Sequence, residues 1–285
     1  MCIRRVFSPE PAPHYTEPSS RSRCWAAIAG AAFILVLHLI FAVTAHINYP
    51  EADFHQAIEW QFYGNTDSRH YLDLSIYGYG TQEAFPEQYL QIVFFPLYPA
   101  LLHILHFVTR IDAFWLGFAV QLPLFAAATA SFYTVIARRW DEQTAALSLA
   151  LLLASPASVF FAVPMTESLF LLLTVRYVLT LEREQWWRCA SLGCSPVCAV
   201  PPGGLLLGLT GCYLVYAVAA RYVGPTIPSL LAMLSPAAGL GLYFLLNYLV
   251  YGRWNQYHIY QWDNWNQKLG LFTNTVRYHL DYMAQ

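Results

Sequence analysis

The sequence contains few charged residues. Asp, Glu, Lys and Arg make up 11% of its 285 residues, whereas an ordinary soluble domain has about 25%. Hydrophobic residues make up 57%. This composition excludes an ordinary soluble domain and predicts a polytopic membrane protein.

Three kinds of motif are missing as well. The net charge is −2 and no basic stripe with interleaved aromatic residues occurs, so the sequence predicts no nucleic-acid partner. The six cysteines form no Cys-x-x-Cys pair, so we expect free thiols and no zinc site. No glycine-rich turn follows a strand pattern, so no nucleotide cradle is expected.

The sequence does contain long apolar runs. A membrane-spanning helix needs about 20 apolar residues, and proline or glycine breaks within a run are tolerated where the backbone lines a cavity or is covered by protein. We therefore predict an all-α helical bundle of roughly seven or eight helices, two regions being helix–break–helix. The unbroken runs are 25–47, 91–109, 113–137 and 226–250, and the broken ones are 144–181, interrupted at Ser155-Pro156 and at 164–168, and 189–220, interrupted at Ser195-Pro196 and at 201–204.

The ends of the chain differ from its middle. Residues 1–24 are rich in Pro, Ser and Arg, which predicts a disordered basic leader before a single transmembrane domain over 25–285. The chain ends at Gln285 without a charged tail, so we expect its C-terminus to be truncated. We expect a multi-pass protein of a bacterial cell membrane, or of the endoplasmic reticulum membrane in a eukaryote.

The arginines of the leader favour a cytoplasmic N-terminus by the positive-inside rule. The segment 48–90 then lies outside the cytoplasm. Arg138 and Arg139 also favour the cytoplasm, but counting the predicted spans places them outside. Either one predicted span is miscounted or this pair is an exception.

A polar segment stands between the first two apolar runs. Residues 67–73 contain two aspartates, an arginine and a histidine. A helix here puts Asp67, His70 and Tyr71 on one face, and Gly78 ends it. A carboxylate and an imidazole on one face can take a proton from a hydroxyl and contact a phosphate. An amphipathic helix with an incidental polar face predicts the same spacing.

Two further motifs come at predicted helix starts. Residues 94–99 read Phe-Phe-Pro-Leu-Tyr-Pro, and proline is tolerated in the first turn of a helix. Residues 155–161 read Ser-Pro-Ala-Ser-Val-Phe-Phe, followed shortly by Glu167-Ser168-Leu-Phe. An acid at a helix start is favoured by the helix dipole, so Glu167 has a structural explanation as well as a functional one.

These motifs, in this order, resemble the PIG-V family, which contains the second mannosyltransferase of GPI-anchor synthesis and its bacterial relatives. The motifs cover about residues 60–175. The resemblance implies a glycosyltransferase C-type helical bundle with its active site in the first extracytoplasmic loop. The family usually has tryptophan before the loop aspartate, where this sequence has Thr66, and an Arg-Pro pair where it has Pro201-Pro202.

The resemblance also implies an inverting transfer of a sugar, most simply mannose, from a polyprenyl- or dolichyl-phosphate donor to a glycolipid or glycan acceptor. Asp67 is then the general base. No cofactor is required, although a divalent ion on Asp67, Asp73 or Glu167 stays open. The expected substrate-binding residues are Arg69, His70, Tyr71, Tyr79, Glu167 and Ser168.

A late segment, 251–267, interleaves aromatic rings with amides. Rings stack on sugars and amides bond hydroxyls, so Trp262 and Trp265 are candidates for contacts with the acceptor. An interfacial aromatic belt predicts the same composition.

Two other functions remain open. Broken helices also mark substrate sites in transporters and flippases, but the sequence shows no internal repeat, and its ionisable residues cluster in a loop. A non-catalytic remnant of the family is the third interpretation.

Overall fold

The computed structural model describes residues 17–80, 89–219, 226–265 and 273–283. Within these ranges the chain is helical and contains no strand, which confirms the all-α class. The described ranges also contain three 3-10 helices, Tyr89–Val93, Pro156–Ala162 and Pro201–Gly204. The α-helices are α1 Ser20–Asn48, α2 Phe54–Tyr63, α3 Ser68–Tyr77, α4 Leu97–Thr109, α5 Ala113–Ala119, α6 Gln121–Arg139, α7 Glu142–Ala154, α8 Glu167–Glu182, α9 Trp186–Ala199, α10 Leu205–Ala219, α11 Ile227–Tyr251, α12 Gln256–Trp265 and α13 Thr273–Met283.

Three of the described helical segments are long and apolar enough to cross a membrane. They are Ser20–Asn48, Ala113–Arg139 and Ile227–Tyr251. The pair formed by α7 and the 3-10 helix Pro156–Ala162 also passes this test, with a bend of 83° between its halves. The chain thus has the helices of a membrane protein, and the predicted break at Ser155-Pro156 is confirmed.

The predicted span 91–109 is wrong. Its α-helix, α4, begins only at Leu97 and has 13 residues, or about 20 Å at 1.5 Å per residue. The hydrocarbon core of a bilayer is about 30 Å thick. Pro96 stands at the N-cap because proline lacks an N–H and its ring clashes with a preceding turn of helix. The motif at 94–99 therefore opens a helix as predicted, but that helix is short.

One predicted break lies in a different place. The helix α9 continues through Pro196 and ends at Ala199, so the interruption at Ser195-Pro196 is wrong. A proline inside a helix removes one hydrogen bond, which neighbouring groups can replace in a membrane bundle. The second predicted break, at Pro201–Gly204, is confirmed as a 3-10 helix. There, a Cβ on Gly203 would lie 2.3 Å from the Pro196 carbonyl oxygen, so the turn needs glycine.

The helices α6 and α8 run side by side in the same direction. At their starts, the Gln121 side chain donates to the Met165 carbonyl just before α8 (3.0 Å). At their ends, Arg139 forms an ion pair with Glu182. Both helices therefore begin at the end of the bundle that holds Gln121 and Glu167, and both finish at the end that holds Arg139. We call the second end the arginine-bearing end.

The helix α1 runs in the opposite direction. Near its start, the Ala26 carbonyl accepts a hydrogen bond from Thr129 of α6 (2.9 Å). Arg138 pairs with Glu17, which precedes α1. The end of α6 thus lies beside the beginning of α1, and Arg138 and Arg139 share one end of the bundle with Arg21 and Arg23 of α1. When 91–109 is left out of the count of spans, Arg138 and Arg139 fall on the same side of the membrane as the start of α1. These arginines then agree with the positive-inside rule if this end faces the cytoplasm.

The chain forms two compact units. The first comprises Met1–Tyr79 and Phe94–Tyr243, and the second comprises Gly80–Val93 and Phe244–Gln285. The first unit holds the main hydrophobic core. Its helix α1 begins at Ser20, within the predicted leader 1–24, because the Ser19 hydroxyl accepts the N–H of Ser22 (3.0 Å) as an N-cap. The rest of the predicted leader, 1–16, lies outside the described residues.

Candidate functional site

The polar segment forms the short helix α3, as predicted. Its first turn is stabilised by Thr66, whose hydroxyl donates to the Phe62 carbonyl (2.9 Å) and lies 2.7 Å from the Ser68 hydroxyl. Asp67 occupies the N-cap position, but its side chain makes no capping bond. The carboxylate of Asp67 is exposed and makes no hydrogen bond or ion pair with the described residues. An aspartate at an N-cap usually caps, so this one is available for another role.

The helix ends at Gly78, also as predicted. The N–H of Gly78 donates to the Leu74 carbonyl (3.0 Å), and its backbone has φ 72° and ψ −169°. Only glycine adopts this conformation without strain.

We expect Gly78→Ala to destabilise the protein. A Cβ at Gly78 meets nothing within 4 Å, so the whole cost is backbone strain, of about 1–3 kcal/mol. The measurement is thermal unfolding in detergent. The matched control is Gly64→Ala, because Gly64 also has open space around its Cβ position but lies in the helical region at φ −87°. Equal melting temperatures for the two variants would contradict this account.

Tyr71 fixes α3 to the rest of the first unit. It is buried, and its ring packs edge-on against Phe94 (5.2 Å) and Tyr98 (5.7 Å). The Tyr98 hydroxyl accepts a hydrogen bond from the Gln121 amide (2.8 Å), and the same amide donates to the Met165 carbonyl. The ring contact between Tyr71 and Tyr98, together with these two buried hydrogen bonds, connects α3 to the residues just before Glu167.

The Ser-Pro-Ala-Ser and Glu-Ser-Leu-Phe motifs are also tied together. The buried Ser168 hydroxyl donates to the Phe161 carbonyl (2.7 Å), and Ser158 donates to the Leu152 carbonyl. Ser168 thus has a structural role in the fold. The four motifs of the first unit pack in or against one hydrophobic cluster.

Glu167 is the most perturbed acid of this region. It begins α8, outside the candidate spans, and one of its carboxylate oxygens is buried without a hydrogen-bond partner among the described residues. Burial raises the pKa of Glu167 from 4.5 to about 7, against the lowering effect of a backbone hydrogen bond, and the Asp67 carboxylate adds to the rise. The structure thus brings Asp67 and Glu167 into electrostatic contact.

Arg69 and His70 follow Asp67 in the first turn of α3. The His70 ring stacks on Phe94 at 4.7 Å, and its Nδ1 is buried without a hydrogen-bond partner in the described part of the chain. Burial lowers the pKa of His70, although Asp67 and Asp73 oppose this. His70 is therefore a neutral polar group near pH 7. Arg69 is exposed and pairs with Asp73 at 3.6 Å.

Tyr71 also responds to the acids. Burial raises the pKa of its hydroxyl, and the Glu167 and Asp67 carboxylates add to the shift. Tyr71 therefore stays protonated near neutral pH and can act only as a neutral hydroxyl. Tyr79 is half-buried and donates to the Phe94 carbonyl (2.6 Å).

The remaining predicted site residues belong to the second unit. Trp262 lies on α12 and is 42% exposed. Trp265 ends the same helix, but its side chain lies outside the described residues. Among the residues that the structure describes, no group of three or more His, Cys, Asp or Glu side chains is placed to hold a metal ion.

Sequence reasoning missed two parts of this arrangement. Gln121 is a fully buried amide within the predicted span 113–137, and a lone polar residue in an apolar run is a signal that it has a specific partner. The raised pKa of Glu167 was also missed, because its position at a helix start favours the ionised form and only burial overturns that.

No family model, curated protein or solved structure matches this chain.

Proposed function

We propose that this protein is an integral membrane glycosyltransferase, most simply a mannosyltransferase, that uses a polyprenyl- or dolichyl-phosphate sugar. The observation that carries the proposal is the pairing of Asp67 with Glu167. These two acids come from motifs far apart in sequence, yet they interact at one end of the bundle, and the pKa of Glu167 is about 7. A carboxyl group with a pKa perturbed like that of Glu167 is typical of proton-transfer sites.

The proposed reaction is a single displacement. The acceptor hydroxyl attacks the anomeric carbon of the donor, and its proton passes to the Asp67 carboxylate. The bond from the anomeric carbon to the phosphate oxygen breaks, and the lipid phosphate leaves with the electron pair. Attack opposite the leaving group inverts the anomeric configuration. Exposed Arg69 can offset the charge that grows on the phosphate.

Asp67 suits the role of base because it is exposed and its carboxylate is not used in capping. Glu167 holds a proton below about pH 7. The Asp67 carboxylate contributes to the raised pKa of Glu167, and the proton that Glu167 holds limits the negative charge around the proposed base.

A lipid-borne donor suits a site on a short helix between apolar helices. The purified full chain in nanodiscs should transfer mannose from a polyprenyl-phosphate donor and not from a nucleotide sugar. The measurement is the transfer of radiolabelled sugar to a mixed glycolipid extract, with Asp67→Asn as the control for background. Turnover with a nucleotide sugar alone would rule out the lipid donor.

The second candidate is a transporter of lipid-linked substrates. The 83° bend between α7 and its 3-10 helix favours it, because broken helices mark substrate sites in transporters. The same nanodisc assay separates the candidates, since a transporter leaves the sugar–phosphate bond intact.

A further inference from the structure

A cavity lies at the arginine-bearing end of the first unit. Its volume is about 360 Å³. It lies between the start of α1, the second half of α6 and the end of α8. The lining residues are Ser20, Arg23, Cys24, Ala130, Ser131, Thr134, Arg176, Leu179 and Arg183.

The hydrogen-bond donors of this cavity come chiefly from arginine. The hydroxyls of Ser131 and Thr134 donate to carbonyls of their own helix (2.7 Å each), so they have no proton left for a ligand. Arg176 lies on α8 and Arg183 follows directly after its last residue, so the two are seven residues apart, and both line the cavity. Arg23 of α1 lines the same cavity.

The nearby acids are already paired. Glu17 binds Arg138 and Arg183, and Glu182 binds Arg139. Glu142 accepts hydrogen bonds from the backbone and side chain of residues 19 and 22.

Two guanidinium groups have no counter-charge in the part of the chain that the structure describes. Arg23 and Arg176 make no ion pair among the described residues. Arg176 is exposed on α8 and stands about 10 Å from Arg183 along the helix direction. A cavity with unpaired guanidinium groups fits an anion, and guanidinium matches phosphate best.

We propose that this cavity binds the phosphate of an anionic lipid headgroup. Basic pockets between membrane helices on the cytoplasmic side have this chemistry, and the positive-inside rule assigns this end of the bundle to the cytoplasm. The site lies at the opposite ends of α6 and α8 from Gln121 and Glu167, so it is separate from the carboxylate pair. The inference does not depend on the proposed transferase activity.

The test is native mass spectrometry of the purified full chain in neutral detergent. We expect a bound phosphatidylglycerol to be retained at concentrations where phosphatidylcholine, which has no net charge, is lost. The double variant Arg23→Gln/Arg176→Gln should bind phosphatidylglycerol about 10- to 100-fold more weakly, as expected for the loss of charge-assisted hydrogen bonds. Arg176→Lys alone, which keeps the positive charge, should bind phosphatidylglycerol more tightly than the double variant does.

The matched control is Arg188→Gln. Arg188 is exposed, bonds to Gln185 and does not line the cavity, so this variant should bind lipid as the unchanged protein does. Thermal unfolding of each variant checks that it is folded. Equal retention of the two lipids, or undiminished binding by the folded double variant, would overturn the proposal. Binding of inorganic phosphate with no lipid retained would show that the anion is free phosphate and would overturn the lipid assignment.

Discussion

Asp67→Asn is expected to lower sugar transfer by about 10²–10⁴-fold, the usual cost of removing a general base. Asparagine keeps the size of the side chain but cannot take up the proton of the acceptor hydroxyl. The amount of folded protein should not change, because the Asp67 side chain makes no capping bond. The measurement is turnover at equal membrane abundance.

Glu167→Gln is the informative comparison. Glutamine resembles the protonated glutamate that dominates below about pH 7. If Asp67 is the base, this variant should lose distinctly less activity than Asp67→Asn. Asp281→Asn serves as the matched control, because Asp281 is exposed and pairs only weakly with Arg277 at 3.8 Å. Near-normal turnover in Asp67→Asn would show that Asp67 is not the base, and Glu167 and Asp73 would then be the next candidates.

The same Glu167→Gln change is expected to alter how stability depends on pH. The pKa of Glu167 is about 7 in the folded protein against 4.5 as its ordinary value. Between these pH values the folded state holds a proton that the unfolded chain has lost, so stability falls as the pH rises through this window. The cost of ionising Glu167 in the folded protein is absent below pH 4.5 and complete above pH 7.

The full cost of ionising Glu167 is on the order of 3 kcal/mol, at about 1.4 kcal/mol per pKa unit. Glutamine does not ionise, so Glu167→Gln should be more stable than the unchanged protein by up to this amount at pH 8. The difference should shrink towards pH 4.5. Thermal unfolding in detergent across this range measures it. Glu51→Gln is the control, since Glu51 is exposed. Parallel pH curves for the unchanged protein and Glu167→Gln would contradict a buried, protonated Glu167.

Some features of the site could be predicted from sequence because they are local. The spacing of residues 67–78 gives a helix of the observed length, and Gly78 ends it through a backbone conformation that only glycine favours. Pro96 opens α4 because proline has no N–H to contribute. The break at Ser155-Pro156 follows from the same property of proline.

Other features were predicted incorrectly because composition does not measure helix length. The run 91–109 is apolar throughout much of its length, yet only 13 residues of it form the α-helix α4. Pro196 looked like a break, but α9 continues through it. Neither the start of α4 at Leu97 nor the passage of α9 through Pro196 follows from the apolar composition of these runs.

The sequence alone indicated a helical membrane protein. An apolar run that crosses a membrane must satisfy its backbone hydrogen bonds without water, and a helix does so within one segment. The sequence also identified the segments in which the acids lie. Only the tertiary structure decided that Asp67 interacts with Glu167 and that Arg23 and Arg176 line one cavity. These pairings depend on the directions in which α1, α6 and α8 run. A pKa or a binding cavity depends on which side chains and how much water surround a group, and residues distant in sequence set both.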